Sequence, residues 1–357
     1  MLDKNTFRQH NQPVRTHPLS EYMEKELRMA IKRFNWGVVG PGRIAQTFAD
    51  GLKVIEDAAL YAVASTNLER ATAFAKKYGG EKTYASYEAL ASDPQVDAIY
   101  VATPHRFHFE NVMLCLNAGK PVLCEKPLTV NAVETKKLIE TSRAKNVFLM
   151  EAVWTRCLPI YQQIREWLDS GAIGEVKLLC STFGFAAPKT PDDRWLNPEL
   201  AGGTLLDMGI YPISVSQWVT GQEPESFSVQ AILGETGVDE LTAVMLKYPN
   251  GVVSQFNSNF LVKNENAFFI YGTQGQIRIH PNFWGASSAT LSTEGQELTV
   301  TKPLAGGGFE FETQEAMRCI RAGLLESPSM THAQTLANME LMDKIRAEIG
   351  LKYPFEK

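Results

Sequence analysis

The run Gly40-Pro41-Gly42-Arg43-Ile44-Ala45 joins the apolar stretch WGVV to an amphipathic one. The glycines suit a tight turn and leave the backbone bare, so a diphosphate could approach the positive end of a helix, while the small Ala45 lets that helix pack closely on the preceding strand. A G-x-G-x-x-A pattern is weak alone; between a strand and a helix it reads as a dinucleotide-binding fingerprint, with Gly40, Gly42, Arg43 and Ile44 at the cofactor. At the end of the next apolar run, LYAVASTNLER, an acidic residue would bind the ribose hydroxyls of NAD and repel a 2′-phosphate. Ser65, Thr66 and Asn67 stand there instead, and Arg43 or Arg70 could pair with phosphate. NADP is therefore expected over NAD; the alternative is that both arginines are solvated and either cofactor binds.

Two further segments follow apolar runs. Thr103-Pro104-His105, then His108, come after AIYVA, at the strand end where a parallel sheet places its ligands. Thr103, Pro104 and His108 are expected beside the nicotinamide, with His108 either an acid or, more in keeping with an isolated histidine, a structural support. Glu125-Lys126-Pro127 ends the run PVLC at the same edge. Glu125 is assigned to the cofactor; Lys126 could hydrogen-bond a substrate hydroxyl or could be a surface lysine before a helix, and spacing alone leaves both open.

These residues need elements to position them. From Phe34, runs of four to eight apolar residues alternate with amphipathic stretches as far as VFLMEA, the signature of βαβ units and a doubly wound parallel sheet over residues 34–153. Asn131 with Glu134 and Gly119 after the Phe109, Met113, Leu116 stripe mark helix ends. Residues 154–357 differ: helices near 159–170 and 203–219, then successive strand-like runs joined by turns, which imply an antiparallel sheet, and two closing helices. Residues 1–33 form a polar extension with Met23, Leu27 and Ile31 four apart, a short amphipathic helix that is either a surface tail or an arm on a partner subunit.

Composition narrows the function classes. At 357 residues, 44% hydrophobic and 21% charged, the chain suits two globular domains of α/β class. A net charge of −5 offers no footprint for a nucleic-acid backbone, and no run is long and apolar enough to span a membrane. The chain start lacks a signal-peptide core, and the five cysteines lack CxxC spacing. A cytoplasmic protein with reduced thiols and no metal site is expected.

The GxGxxA turn, the EKP segment and an Asp-x-Gly pattern at Asp207 resemble the Gfo/Idh/MocA family of NAD(P)-dependent oxidoreductases. MEAVWTRCLP at Met150 and DRWLNPELAGGTLLDMGIYPI at Asp193 are most similar to its dihydrodiol and NADP-dependent xylose dehydrogenase group. The resemblance runs from about Phe34 to Phe355. It implies an N-terminal Rossmann domain, a C-terminal α/β domain with an open, mainly antiparallel sheet often used to form homodimers, and a small-molecule substrate. It also implies that Lys126 touches nicotinamide ribose and substrate, that Tyr211 takes the position most often filled by His, and that Trp154 and Arg156 shape the substrate pocket. Asp207 and Tyr211 lie four apart, hence on one helix face. A phenol near pKa 10 needs a nearby positive charge to transfer protons at neutrality, which Lys126 would supply. The expected activity is hydride transfer between the nicotinamide and a secondary alcohol of a sugar, cyclic polyol or dihydrodiol, with Tyr211 and Lys126 catalytic. The rival is a non-catalytic nucleotide and sugar sensor of the same fold, which would have no need of a proton-transfer pair.

Overall fold

A computed structural model describes residues 33–356 apart from 188, 189, 191 and 192; the helix expected around Met23 to Ile31 lies outside the described residues. The first sheet is built from β1 (Phe34–Val39), β2 (Ala58–Ala64), β3 (Lys82–Tyr84), β4 (Ala98–Val101), β5 (Val122–Glu125) and β6 (Leu149–Ala152). All neighbours pair parallel in the order β3-β2-β1-β4-β5-β6, the doubly wound arrangement in which strand order reverses beside β1. Its strands are apolar on both sides because both sides are covered. Along β4, Ala98 and Tyr100 join the core shared with the rest of the molecule, while Ile99 and Val101 join a separate cluster under the opposite helices.

The intervening helices are α1 (Arg43–Leu52), α2 (Leu68–Tyr78), α3 (Tyr87–Ala91), α4 (His108–Asn117) and α5 (Ala132–Lys145). Local chemistry fixes their ends. Asn131 accepts the Glu134 N–H at the start of α5, and Gly119, at φ 75°, turns the chain after α4. Helix α3 and strand β3 are too short to give a clear periodicity in the sequence.

Beyond the 3₁₀ turn Trp154–Cys157 come α6 (Pro159–Asp169), β7 (Val176–Gly184), a π-helical turn Leu205–Gly209 and α7 (Ile210–Thr220). Strands β8 (Ser226–Leu233), β9 (Asp239–Lys247), β10 (Val253–Asn259), β11 (Phe268–Gly272), β12 (Gly275–Ile279), β13 (Ser288–Thr293) and β14 (Gln296–Thr301) complete an eight-stranded sheet. Every pair in it is antiparallel except β7 with β10, which lie side by side in parallel at its centre. Alternation along β9 and β11 buries Val244, Leu246, Phe268 and Ile270 on one face and turns Met245, Phe269 and Tyr271 to the other.

The closing helices, α8 (Phe309–Arg321) and α9 (His332–Glu348), return to the first sheet. A Cβ on Gly51 of α1 would lie 3.1 Å from the Glu310 backbone, so the bare glycine lets α8 pack closely here and a larger residue would push it back by a few tenths of an ångström. The Leu149 N–H of β6 donates to Leu325 O, and Asp343 of α9 accepts the Ala132 N–H of α5. Spatial grouping therefore departs from chain order, because the last helices cover the first sheet. All five cysteines are free, and no described helix is long and apolar enough to cross a membrane.

Candidate active site

The carboxyl ends of β1, β2, β4 and β5 face the second sheet across a cleft of about 1220 Å³. At its floor Gly40 has φ +87°, and a Cβ there would meet Thr103 Cγ2 at 2.8 Å, so this turn requires glycine. Gly42 is different. A Cβ on it would find no atom nearer than 3.9 Å, so its bareness leaves open cleft for a ligand. Helix α1 starts there with no capping side chain and no acidic residue in its first turn, which leaves its N–H groups to an anion. This donor set fits a dinucleotide diphosphate. Ser65, Thr66, Arg70 and Tyr87 line the cleft beyond β2.

At the other end, Lys126 and Asp207 form an ion pair with both side chains 11% exposed. Lys126 Nζ donates to Asp207 Oδ1 at 3.1 Å and to Asp207 O at 2.5 Å. Arg194 Nη1 approaches the same carboxylate at 3.4 Å and His105 Nε2 at 3.7 Å. Burial alone would push the Asp207 carboxyl up, but Lys126, Arg194 and His105 reverse this and hold it well below the usual carboxylate range. It is ionised at any working pH.

Tyr211 stands where the π-helical turn Leu205–Gly209 runs on into α7, and the following Pro212 has no N–H to give the preceding turn, where the Asp207 carbonyl is taken by Lys126 instead. Its Oη accepts a 3.2 Å hydrogen bond from Trp154 Nε1, and Lys126 Nζ lies 5.0 Å from its ring centre. Burial, with Glu125 adding to it, raises the phenol well above its ordinary range. The Lys126 ammonium, already opposed by Asp207, does not offset this. Asp207 and Tyr211 both line the cleft although a π-helical turn, rather than one regular helix, separates them.

Of the residues singled out in the sequence, Gly40, Gly42, Arg43, Ile44, Ser65, Thr66, Arg70, Thr103, Pro104, Glu125, Lys126, Trp154, Asp207 and Tyr211 come together along this cleft. Asn67, His108 and Arg156 do not. The Asn67 side chain caps α2 by accepting the Arg70 N–H at 3.1 Å. His108 is fully buried, with Nδ1 2.8 Å from Pro127 O and Nε2 2.7 Å from Thr103 O. Two carbonyl acceptors favour a doubly protonated ring, whereas burial drives its pKa down to about 4; either way the ring braces two loops from behind. Arg156 points away because a 3₁₀ turn has three residues per turn, so with Trp154 facing the cleft its neighbour two positions on cannot. Its guanidinium lies near Ser214, Gln334 and the Trp218 ring.

Other lining residues were not singled out. Phe183 and Trp284 stack at 3.6 Å and 6°, with Trp284 6.4 Å from Tyr211 by ring centres, and Trp154 packs on Phe309 at 4.8 Å. Arg194 and Trp195 belong to a segment that reaches over to the first sheet's loops. Arg43 lies 5.3 Å over the Trp195 ring, Arg106 pairs with Glu199 at 2.7 Å, and His105 Nδ1 sits 3.4 Å from Ala201 O. The run FGF at the end of β7 and the RW pair were the available signals; nothing local marks Trp284.

Comparison with known proteins agrees with this geometry. Residues 34–153 match the family model "Oxidoreductase family, NAD-binding Rossmann fold", and residues 161–278 match the GFO/IDH/MocA C-terminal domain. The trans-1,2-dihydrobenzene-1,2-diol dehydrogenase of Xenopus tropicalis is 37% identical over 328 residues, covering 89% of this chain and 99% of its own. The Homo sapiens enzyme of that name is 35% identical, covering 90% and 98%. Among solved structures, KijD10, a 3-ketoreductase from Actinomadura kijaniata in complex with NADP and TDP-benzene, superposes with a TM-score of 0.78 at 25% identity, covering 88% of this chain and 98% of that one. With its bare-glycine turn, its parallel sheet and its second sheet closing one cleft, this chain belongs to the GFO/IDH/MocA family of NAD(P)-dependent oxidoreductases.

Proposed function

We propose that the protein is an NADP-preferring dehydrogenase acting on a secondary alcohol of a cyclic polyol, sugar or dihydrodiol, built as a cofactor domain over residues 34–153 and a substrate domain over 154–357. The carrying observation is that the Tyr211 phenol and the Lys126 ammonium, the latter 5.0 Å from the centre of the tyrosine ring, share the wall of the cleft that holds the Gly40–Gly42 turn. A bound nicotinamide would supply the hydride acceptor or donor. The chain supplies the proton. Because Tyr211 Oη accepts from Trp154, its own hydrogen is free to point into the cleft, towards a carbonyl oxygen being reduced; in the reverse direction the oxygen takes the hydroxyl proton back. Lys126 spends two of its three N–H donors on Asp207 and has one for the substrate oxygen.

The aromatic wall of Phe183, Trp284, Trp154 and Phe309 favours a ring with an apolar face over an open polyol chain. NADP preference rests on Ser65 and Thr66 where an acid would exclude a 2′-phosphate, with Arg70 beside them. The exposed face of the second sheet, with Met245 48% exposed beside Phe269 and Tyr271, supports assembly of two copies through this sheet. Five free cysteines support a cytoplasmic setting.

The test follows reduced-nicotinamide absorbance with trans-dihydrodiols, inositols, pentoses and hexoses. Turnover with NADP is expected to exceed that with NAD by at least about tenfold in kcat/KM, the scale of one lost charge-assisted contact. Tight NADP binding without turnover of any member would instead support the sensor reading.

A further inference from the structure

The π-helical turn Leu205–Gly209 carries Asp207, and its start is held from outside the cleft. The first N–H groups of a helical turn have no partner within it. Thr204, whose position would ordinarily supply the cap, makes no side-chain bond to the turn. Its hydroxyl is turned instead to Asp239, the first residue of β9, and donates to Oδ2 at 2.6 Å. The same oxygen accepts the Leu205 N–H at 2.8 Å and the Thr242 hydroxyl at 2.6 Å. Asp239, Thr204, Leu205 and Thr242 are all 0% exposed, so bulk water cannot take over these bonds.

The other Asp239 oxygen bears on the chain just before the turn. Gly203 has φ +114°, and a Cβ there would collide with Asp239 Oδ1, so the backbone lies against the carboxyl where only glycine fits. The Tyr353 hydroxyl, from the chain after α9, donates to Gly202 O at 2.7 Å. The bend at Gly202–Leu205 is thus set by two side chains that do not line the cleft. Two residues beyond Leu205, the turn presents the Asp207 carboxylate and carbonyl that take two of the three Lys126 N–H donors. Where the third donor points follows from where the turn sits.

We propose that Asp239 is a positioning residue for the reaction: by capping the π-helical turn it fixes Asp207, and through Asp207 it aims the remaining Lys126 N–H at the substrate oxygen. The inference rests on the dehydrogenase reading for its kinetic consequence and on the hydrogen bonds alone for its geometry. A donor misplaced by about 1 Å lowers a rate by roughly 10²-fold. All three bonds go to one oxygen, which an amide also possesses, and Oδ1 has no hydrogen-bond partner to lose. Asp239→Asn should therefore rescue what Asp239→Ala removes.

The test uses the full-length protein carrying Asp239→Ala or Asp239→Asn, alone and combined with Lys126→Met. Asp239→Ala is expected to lower kcat for carbonyl reduction by about 10–100-fold with the Kd of NADPH within about twofold of wild type, and Asp239→Asn to recover all but about threefold. In the Lys126→Met background the group being aimed is gone, so Asp239→Ala should lower kcat by less than about threefold. Equal losses in both backgrounds would mean that Asp239 acts on the fold and not through Lys126, and overturn the proposal.

Nuclear magnetic resonance of protein labelled with ¹³C at the lysine ε-carbons reads the geometry without turnover. The Lys126 signal, assigned by its disappearance in Lys126→Met, should move in Asp239→Ala and return in Asp239→Asn; an unmoved signal overturns the proposal. A moved signal in a protein that turns over no substrate would uphold the positioning and sink the dehydrogenase reading alone. Should Asp239→Ala not fold, Thr204→Val, which removes one of the three bonds at similar volume, replaces it in both measurements with the same outcomes decisive.

Discussion

Asp207 organises the proposed chemistry without taking part in it. It binds Lys126 through both its carboxylate and its carbonyl, and so aims the remaining ammonium hydrogen while cancelling most of the charge that would acidify Tyr211. Removing the Tyr211 hydroxyl should therefore remove the proton transfer and little else. Tyr211→Phe is expected to lower kcat by about 10²–10⁴-fold, with cofactor Kd unchanged by fluorescence titration; a kcat within twofold of wild type would take Tyr211 out of the mechanism. The Gly40–Gly42 turn was legible in the sequence because its chemistry is local. Asn67 and Arg156 were not, since a helix cap and the reverse side of a 3₁₀ turn depend on where the chain goes next, whereas a supporting role for His108 was already the favoured reading of an isolated histidine. Trp284 is the converse case, an aromatic in a short turn after β12 that reaches the site only because β7 carries Phe183 to the same place.

Among the elements, the parallel alternation over residues 34–153 and the strand-rich region after α7 were readable from period and length. The parallel pairing of β7 with β10 was not, because α7, β8 and β9 intervene and nothing local records which strands become neighbours. The face of this sheet that carries Met245, Phe269 and Tyr271 is turned away from the core. If a second copy covers it, introducing charge at its centre should separate the copies. Met245→Glu with Tyr271→Glu is expected to halve the mass seen by analytical ultracentrifugation while circular dichroism is preserved, since both side chains point away from the core. An unchanged mass would place the interface elsewhere.

For the whole molecule, buried acids set the response to pH. Glu151, fully enclosed at the end of β6, takes the Leu128 N–H on one oxygen, and burial pushes its carboxyl up from 4.5 to about 7. Between those values the folded state binds more protons than the unfolded one, so stability falls as pH rises through the window and levels off above it. The loss is on the order of 3 kcal/mol at 1.36 kcal/mol per unit. Urea denaturation at acid and alkaline pH should show that loss in the wild type and a smaller one in Glu151→Gln; equal slopes would mean that Glu151 is ionised throughout.

The contacts of Arg43 with Trp195, Arg106 with Glu199 and His105 with Ala201 also act at this scale, because they tie the second domain's segment to the loops of the first. The Arg43–Trp195 and Arg106–Glu199 contacts, both partly exposed, contribute about 1–2 kcal/mol together, so those two alone are broken in roughly 3–15% of molecules at any instant. The buried contacts of His105 and Lys126 with Asp207 lie deeper in the same cleft, so its edge yields before its centre.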